Sequence, residues 1–129
     1  MSVAAIAFTE SADGVFVVRK SLYRLMLSRA AAAVRDTADV RELELSRLTE
    51  GISLYYLAPE QRRRIAEAML SGATRLKDDV DAGRSLEEPV SAGISEFLES
   101  MIEFLRSHLD DDRLMTADAV PYPYGAGMG

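Results

Sequence analysis

Residues 94–109 read Ile-Ser-Glu-Phe-Leu-Glu-Ser-Met-Ile-Glu-Phe-Leu-Arg-Ser-His-Leu, and they carry the strongest pattern in the chain. Apolar side chains recur there at intervals of three and four residues, which is the period of an α-helix with one buried face. These side chains belong to Phe97, Leu98, Met101, Ile102, Leu105 and Leu109. Because Ser85 and Glu88 have the spacing of a capping box, the sequence predicts a helix over residues 86–109.

The stretch before it predicts another amphipathic helix, over residues 59–82. Its apolar stripe consists of Ile65, Met69, Ala73, Leu76 and Val80. Pro59 suits the first position of a helix because its missing N–H has no helical partner there. Gly83 suits the position just after the last turn.

Two earlier helices are predicted over residues 14–35 and 39–57. Asp39 is a good N-cap for the second of them, and Glu42 stands three positions further on. Pro59 disfavours the helical conformation in the residue before it, so this helix is expected to stop at residue 57.

The beginning of the first helix has an alternative interpretation. Residues 3–8 and 15–18 are rich in valine and phenylalanine, and Asp13-Gly14 between them is a good hairpin turn. A short β-hairpin therefore competes with the helix at the N-terminus. We prefer the helix, because the apolar pattern continues without a break into residues 22–27.

Taken together, these patterns predict an all-α fold, a four-helix up-down bundle with short connections. The helices form one domain over residues 1–112. The last residues, 113–129, are rich in proline and glycine near their end and are expected to be a disordered tail. The stripes on the last two helices resemble coiled-coil seams, which favours a homodimer.

The composition of the chain excludes several kinds of site and of protein. The chain has 129 residues, a formal net charge of −6 and no cysteine, so disulfides and thiolate sites are excluded. No apolar run approaches the roughly 20 residues of a membrane-spanning helix, and the N-terminus is a poor signal peptide. We expect a cytoplasmic protein. The excess of arginine over lysine indicates a GC-rich, bacterial source.

Side chains that could carry chemistry do not form a motif. His108 is the only histidine, and its place near a helix end fits an exposed residue stabilised by the helix dipole. Glu96, Glu99 and Glu103 lack the Glu-x-x-His pattern of di-metal bundles. Asp110, Asp111 and Asp112 lack the glycine and terminal glutamate of a calcium loop. We expect no catalytic residue, cofactor or metal.

The sequence therefore favours a non-enzymatic protein–protein interaction module, of a regulatory, chaperone-like or inhibitor type. The acidic second half and the Pro-Tyr-Pro-Tyr segment suit a protein partner better than nucleic acid or membrane. The candidate partner-binding residues are Tyr55, Tyr56, Arg62, Arg63, Tyr122 and Tyr124. The alternative is a small helical enzyme or ligand-binding protein, which requires Glu67, Glu99, Glu103 or His108 to point inward.

Overall fold

The computed structural model describes residues 2–121 and contains three β-strands and five α-helices. In chain order these are β1 (Val3–Ala7), β2 (Val15–Arg19), α1 (Lys20–Ala31), α2 (Thr37–Leu48), β3 (Gly51–Ser53), α3 (Pro59–Asp81), α4 (Ile94–Leu109) and α5 (Asp112–Thr116). Short 3-10 turns lie at Ala12–Gly14 and Leu54–Tyr56.

The prediction of an all-α four-helix bundle is wrong. The strands form one mixed sheet in the order β2-β1-β3, with β2 antiparallel and β3 parallel to the central strand. The N-terminal hairpin, given above as the alternative, is the correct interpretation of residues 3–19. Its β-branched valines favour extended backbone, and Phe16 is held at centroid distances of 5.4 Å from Phe97 and 5.2 Å from Phe104.

The strand β3 was not predicted at all. The helix expected over residues 39–57 ends at Leu48, and the chain then runs beside β1 as Gly51–Ser53. Gly51 allows this turn into the sheet, because its φ of 128° is unfavourable for other residues and a Cβ there would collide with the backbone of Ala5. A three-residue strand held by one neighbour leaves little periodic signal in the sequence.

The predictions for the two longest helices agree better with the structure. The prediction for α3 is confirmed, with Pro59 in its first turn and Gly83, at φ 68°, just beyond its end. The C-terminal end of α4 is also confirmed, but its beginning is wrong. Gly93, at φ 82°, forms its N-cap, so the helix starts eight residues later than the capping-box pattern indicated.

The residues that precede α4 form an extended strap along α1 instead of a helical turn. Arg29 on α1 binds Asp79 at 2.9 Å and Glu87 at 3.1 Å, and Arg24 binds Glu88 at 3.1 Å. The side chains of Arg84 and Arg29 lower the pKa of Asp79. Two of these ion pairs use Glu87 and Glu88, which the sequence had placed at the start of the helix predicted over residues 86–109. The predicted N-cap at Asp39 is displaced in a similar way, since Asp36 caps α2 by accepting from the Ala38 amide.

The core lies between the sheet and the helices, with α3 at its centre. The fully buried side chains of α3 include Ile65, Met69 and Leu76, all predicted members of its stripe. The helix α5 falls where the tail was expected to begin, and its Met115 is 1% exposed. Among the described residues, no helix has both the length and the apolar character needed to cross a membrane.

Gly72 permits the close crossing of α1 and α3. A Cβ at this position would lie 2.5 Å from the Met26 carbonyl oxygen and 2.7 Å from the Ala30 nitrogen. Both neighbours are helix backbone, which cannot move without separating the helices. A glycine in the middle of a 23-residue helix therefore allows this packing, although glycine is less favourable in a helix than alanine.

We predict that Gly72→Ala lowers the free energy of unfolding by about 2 kcal/mol, because overpacking outweighs the roughly 1 kcal/mol gain in propensity. Urea denaturation followed by circular dichroism measures the effect. The control is Thr74→Ala on the exposed side of the same helix, expected within about 0.5 kcal/mol of wild type. A more stable Gly72→Ala variant would contradict the proposed crossing.

Candidate interaction surface

The sheet is covered by helices on one face only. Side chains alternate between the two faces of a strand, so the register places Ile6, Val18 and Ile52 on the inner face. These three residues are at most 6% exposed. Phe8, which follows β1, is also buried and packs on Phe104 of α4 at 5.7 Å between ring centroids.

The outer face is apolar and open. The residues that the same register places there are Val3, Ala5, Ala7, Val15, Val17, Arg19, Gly51 and Ser53. Val3 is 49% exposed and Val17 is 55% exposed, whereas Ala7 on the same face is 8% exposed, so the open part of this face lies around Val3 and Val17. Arg19 is the only charged side chain on this face, and its guanidinium donates to the Ser91 hydroxyl at 3.1 Å. Apolar surface with so little charge is typical of sites that bind another molecule.

The outer edge of the sheet at β2 is also open. The Phe8 amide donates to the Gly14 carbonyl and the Lys20 amide to the Ser2 carbonyl. Hydrogen-bonded pairs alternate along an antiparallel ladder, so the backbone groups of Phe16 and Val18 also point toward β1. The N–H and C=O of Val17 consequently point away from β1, toward the side where the sheet has no further strand.

The opposite edge, at β3, is shorter and partly satisfied. The Thr49 hydroxyl donates to the Gly51 carbonyl at 3.1 Å. This local hydrogen bond occupies an acceptor that a further strand would need. The two edges of the sheet are therefore unequal, and the edge at β2 offers more free backbone groups.

The two tyrosines predicted to bind a partner are adjacent but line different cavities. Their ring centroids are 4.5 Å apart, and both side chains are partly exposed. Tyr55 faces a cavity beside Phe8 and α5, where its carbonyl accepts from the Val120 amide at 2.8 Å. Tyr56 lines a groove between α2 and β3 with a volume of about 580 Å³. Tyr122 and Tyr124, the other two predicted tyrosines, lie outside the described residues.

Arg62, another predicted partner-binding residue, is 1% exposed and is occupied inside the protein. Its guanidinium donates to four backbone carbonyls, those of Leu54 (3.1 Å), Leu57 (2.9 Å), Leu114 (2.7 Å) and Ala117 (2.8 Å). Burial lowers its pKa from the ordinary arginine value. Arg63, its neighbour, is partly exposed. The structure thus separates two neighbouring residues that the sequence had both predicted to bind a partner.

We predict that Arg62→Ala lowers the free energy of unfolding by about 3–5 kcal/mol, because two buried and two partly buried carbonyls lose their donor. Chemical denaturation at neutral pH measures this loss. Arg63→Ala is the matched control, with an expected change below about 0.5 kcal/mol. Equal effects of the two substitutions would show that Arg62 has no special structural role.

The groove beside Tyr56 is polar on one side. Glu42 lines it, and burial raises the pKa of this carboxyl group. Nearby, Tyr23 is 0% exposed, and its hydroxyl has no hydrogen-bond partner among the described residues. Burial raises the pKa of Tyr23 to about 12, opposed by the Ser46 hydroxyl and reinforced by Glu42. The Ser46 hydroxyl donates its proton to the Leu43 carbonyl at 2.9 Å, and it does not meet hydrogen-bond geometry with the Tyr23 hydroxyl.

We predict that Tyr23→Phe stabilises the protein by about 1 kcal/mol at pH 7, since it removes an unsatisfied buried hydroxyl. The unfolded tyrosine ionises near pH 10 and the folded one near 12. The wild type therefore loses about 2–3 kcal/mol more than Tyr23→Phe as the pH rises from 10 to 12. Denaturation curves across this range measure the difference.

The partly exposed Tyr55→Phe variant serves as the control for general alkaline effects. It is expected to follow the wild type from pH 10 to 12. If Tyr23→Phe loses stability over this range as steeply as the wild type, the hydroxyl of Tyr23 is not the group that titrates.

The carboxylates and the histidine considered for catalysis do not converge. Glu67, Glu99 and Glu103 are exposed. His108 is partly buried, stacked on Phe8 at 4.9 Å between ring centroids, and its Nδ1 donates to the Phe104 carbonyl at 2.8 Å. The part of the chain that the structure describes contains no group of three acidic or histidine side chains arranged to hold a metal ion.

Several basic side chains of α1 and α3 are paired with acidic ones. Arg64 binds the buried carboxylate of Asp39 at 2.7 Å, and Arg24 binds Glu88. The Asp39 carboxylate raises the pKa of Arg64. With Arg62 buried, these arginines do not pool into one free basic cluster.

Comparisons with models of known protein families, with curated proteins and with solved structures found no match to this chain. Only the residues of this chain therefore identify the candidate interaction surface. Sequence reasoning missed Val3 and Val17 as surface candidates, because a helix was preferred to the hairpin at the N-terminus and no face of the hairpin was assigned. No alternation of polar and apolar residues could have found them, because residues 15–18 are all apolar.

Proposed function

We propose that this chain is a non-enzymatic protein–protein interaction module that acts as a homodimer in the cytoplasm. One observation carries the proposal: the three-stranded sheet has an apolar outer face that the described chain leaves uncovered. Val3 and Val17 on this face are about half exposed. Exposing such side chains to water is unfavourable, and a second protein surface would remove that cost.

The nature of the outer face suits a folded protein surface. It is built from small side chains on a sheet, and its only charge, Arg19, lies at one corner. A flat surface of this kind packs well against another sheet or an apolar helix face. Its lack of polar recognition groups argues less for a small polar ligand, which needs several directed hydrogen bonds.

The test is site-specific photo-crosslinking in the cells that make the protein. A photoreactive residue replaces Val3 on the outer face or, as the matched control, Thr74 on the exposed side of α3. We expect a defined polypeptide to crosslink at position 3 and not at position 74, and the product to disappear when Ala5→Asp places a charge on the same face. Identical background at both positions would refute the proposed function.

A further inference from the structure

We propose that the free edge of β2 binds the β2 strand of a second copy of this chain, antiparallel, about a two-fold axis at Val17. The inference rests on the proposed function and names both the partner and the contact. It joins the two three-stranded sheets into one continuous sheet of six strands.

The free groups on the edge are self-complementary. The Val15 amide is used internally, because it donates to the Ala12 carbonyl. The Arg19 carbonyl occupies the N-cap position of α1, where it accepts the first helical hydrogen bond. What remains on the open side is the C=O of Val15, both groups of Val17 and the N–H of Arg19.

These four groups are the ones that a symmetric antiparallel pair uses. With Val17 opposite the second copy's Val17, the two residues exchange N–H···O=C bonds in both directions. The Arg19 amide then donates to the second copy's Val15 carbonyl, and the reciprocal bond forms at the other end. Four hydrogen bonds result, and the groups already used inside each copy are not required.

The side chains fit the same register. Val17 meets its symmetry mate on the outer face, where each is 55% exposed in the single chain. Arg19 lies opposite the second copy's Val15, so like charges do not face each other. The exposed Asp13 precedes β2, while Arg19 and Lys20 end it, so antiparallel pairing brings an acidic end to a basic end.

The central residues of this edge lack the proline and charges by which proteins often prevent such pairing. Residues 15–18 contain no proline, no lysine and no other charge. Natural edge strands are usually protected by at least one of these devices, by a bulge or by a covering segment. An unprotected, self-complementary edge favours an isologous contact, in which the same residues serve on both sides.

The experiment measures the oligomeric state of the full chain by sedimentation equilibrium. We expect the wild type to have twice its chain mass of 14.2 kDa at micromolar concentration. Val17→Lys and Val17→Glu each place two like charges at the two-fold axis, so each variant alone should dimerise at least about ten-fold more weakly. Val17→Thr keeps the backbone and a β-branched side chain and is the matched control, expected to remain a dimer.

Mixing the two charged variants tests the register directly. If position 17 faces its own symmetry mate, the lysine and glutamate variants should form a heterodimer of wild-type mass when combined. Circular dichroism confirms that each variant is folded, so loss of association is not loss of structure. A monomeric wild type, an undiminished Val17→Lys dimer, or a mixture that stays monomeric would each overturn the inference.

The two proposals fail in distinguishable ways. A wild type that is monomeric, while position 3 still crosslinks to a different polypeptide, overturns the β2 contact and the homodimer but leaves the outer face as a binding surface for another protein. A wild-type dimer without any specific crosslink at position 3 supports the β2 contact and removes the case for the outer face as a surface for another protein.

Discussion

The guanidinium of Arg62 is the interaction on which the arrangement of this chain depends. From the first turns of α3 it reaches the carbonyls of Leu54 and Leu57, and those of Leu114 and Ala117 near α5. Segments separated by more than fifty residues are thereby fixed around one cation. The planar guanidinium group has five N–H donors and can bind all four carbonyls, whereas the ammonium group of a lysine, with three donors, could not reach four acceptors in these directions.

The hydrogen bonds of Arg62 also position the sheet. Leu54 directly follows β3, so the hydrogen bond from Arg62 holds the end of that strand against α3. The strand β3 in turn pairs with β1, and Gly51 allows the close approach. The inner face of the sheet is closed by this packing and by the rings of α4, while its outer face is left without a covering layer. The candidate surface is therefore a consequence of the contacts that hold β3 against α3 and β1.

The candidate site shows where residue-level prediction succeeds and fails. Tyr55 and Tyr56 were predicted to bind a partner, and both side chains are partly exposed. Arg62 was selected as a surface cation, yet its side chain is 1% exposed. Nothing in the run of three arginines distinguishes the buried one, because the four carbonyl acceptors come from distant parts of the chain. The open face around Val17 could not be recognised without the pairing of β1 with both neighbours.

The sequence by itself determined the helices whose stability is local. The stripe and flanking Pro59 and Gly83 define α3, and the apolar period defines the body of α4, because both signals lie within a few residues of each other along the chain. Only the tertiary structure decided the sheet. Residues 15–18 satisfy a helical and an extended pattern equally well, and the choice depends on β1, on α4 and on the distant β3. Strand pairing is a non-local interaction, so its energy is absent from any short window of sequence.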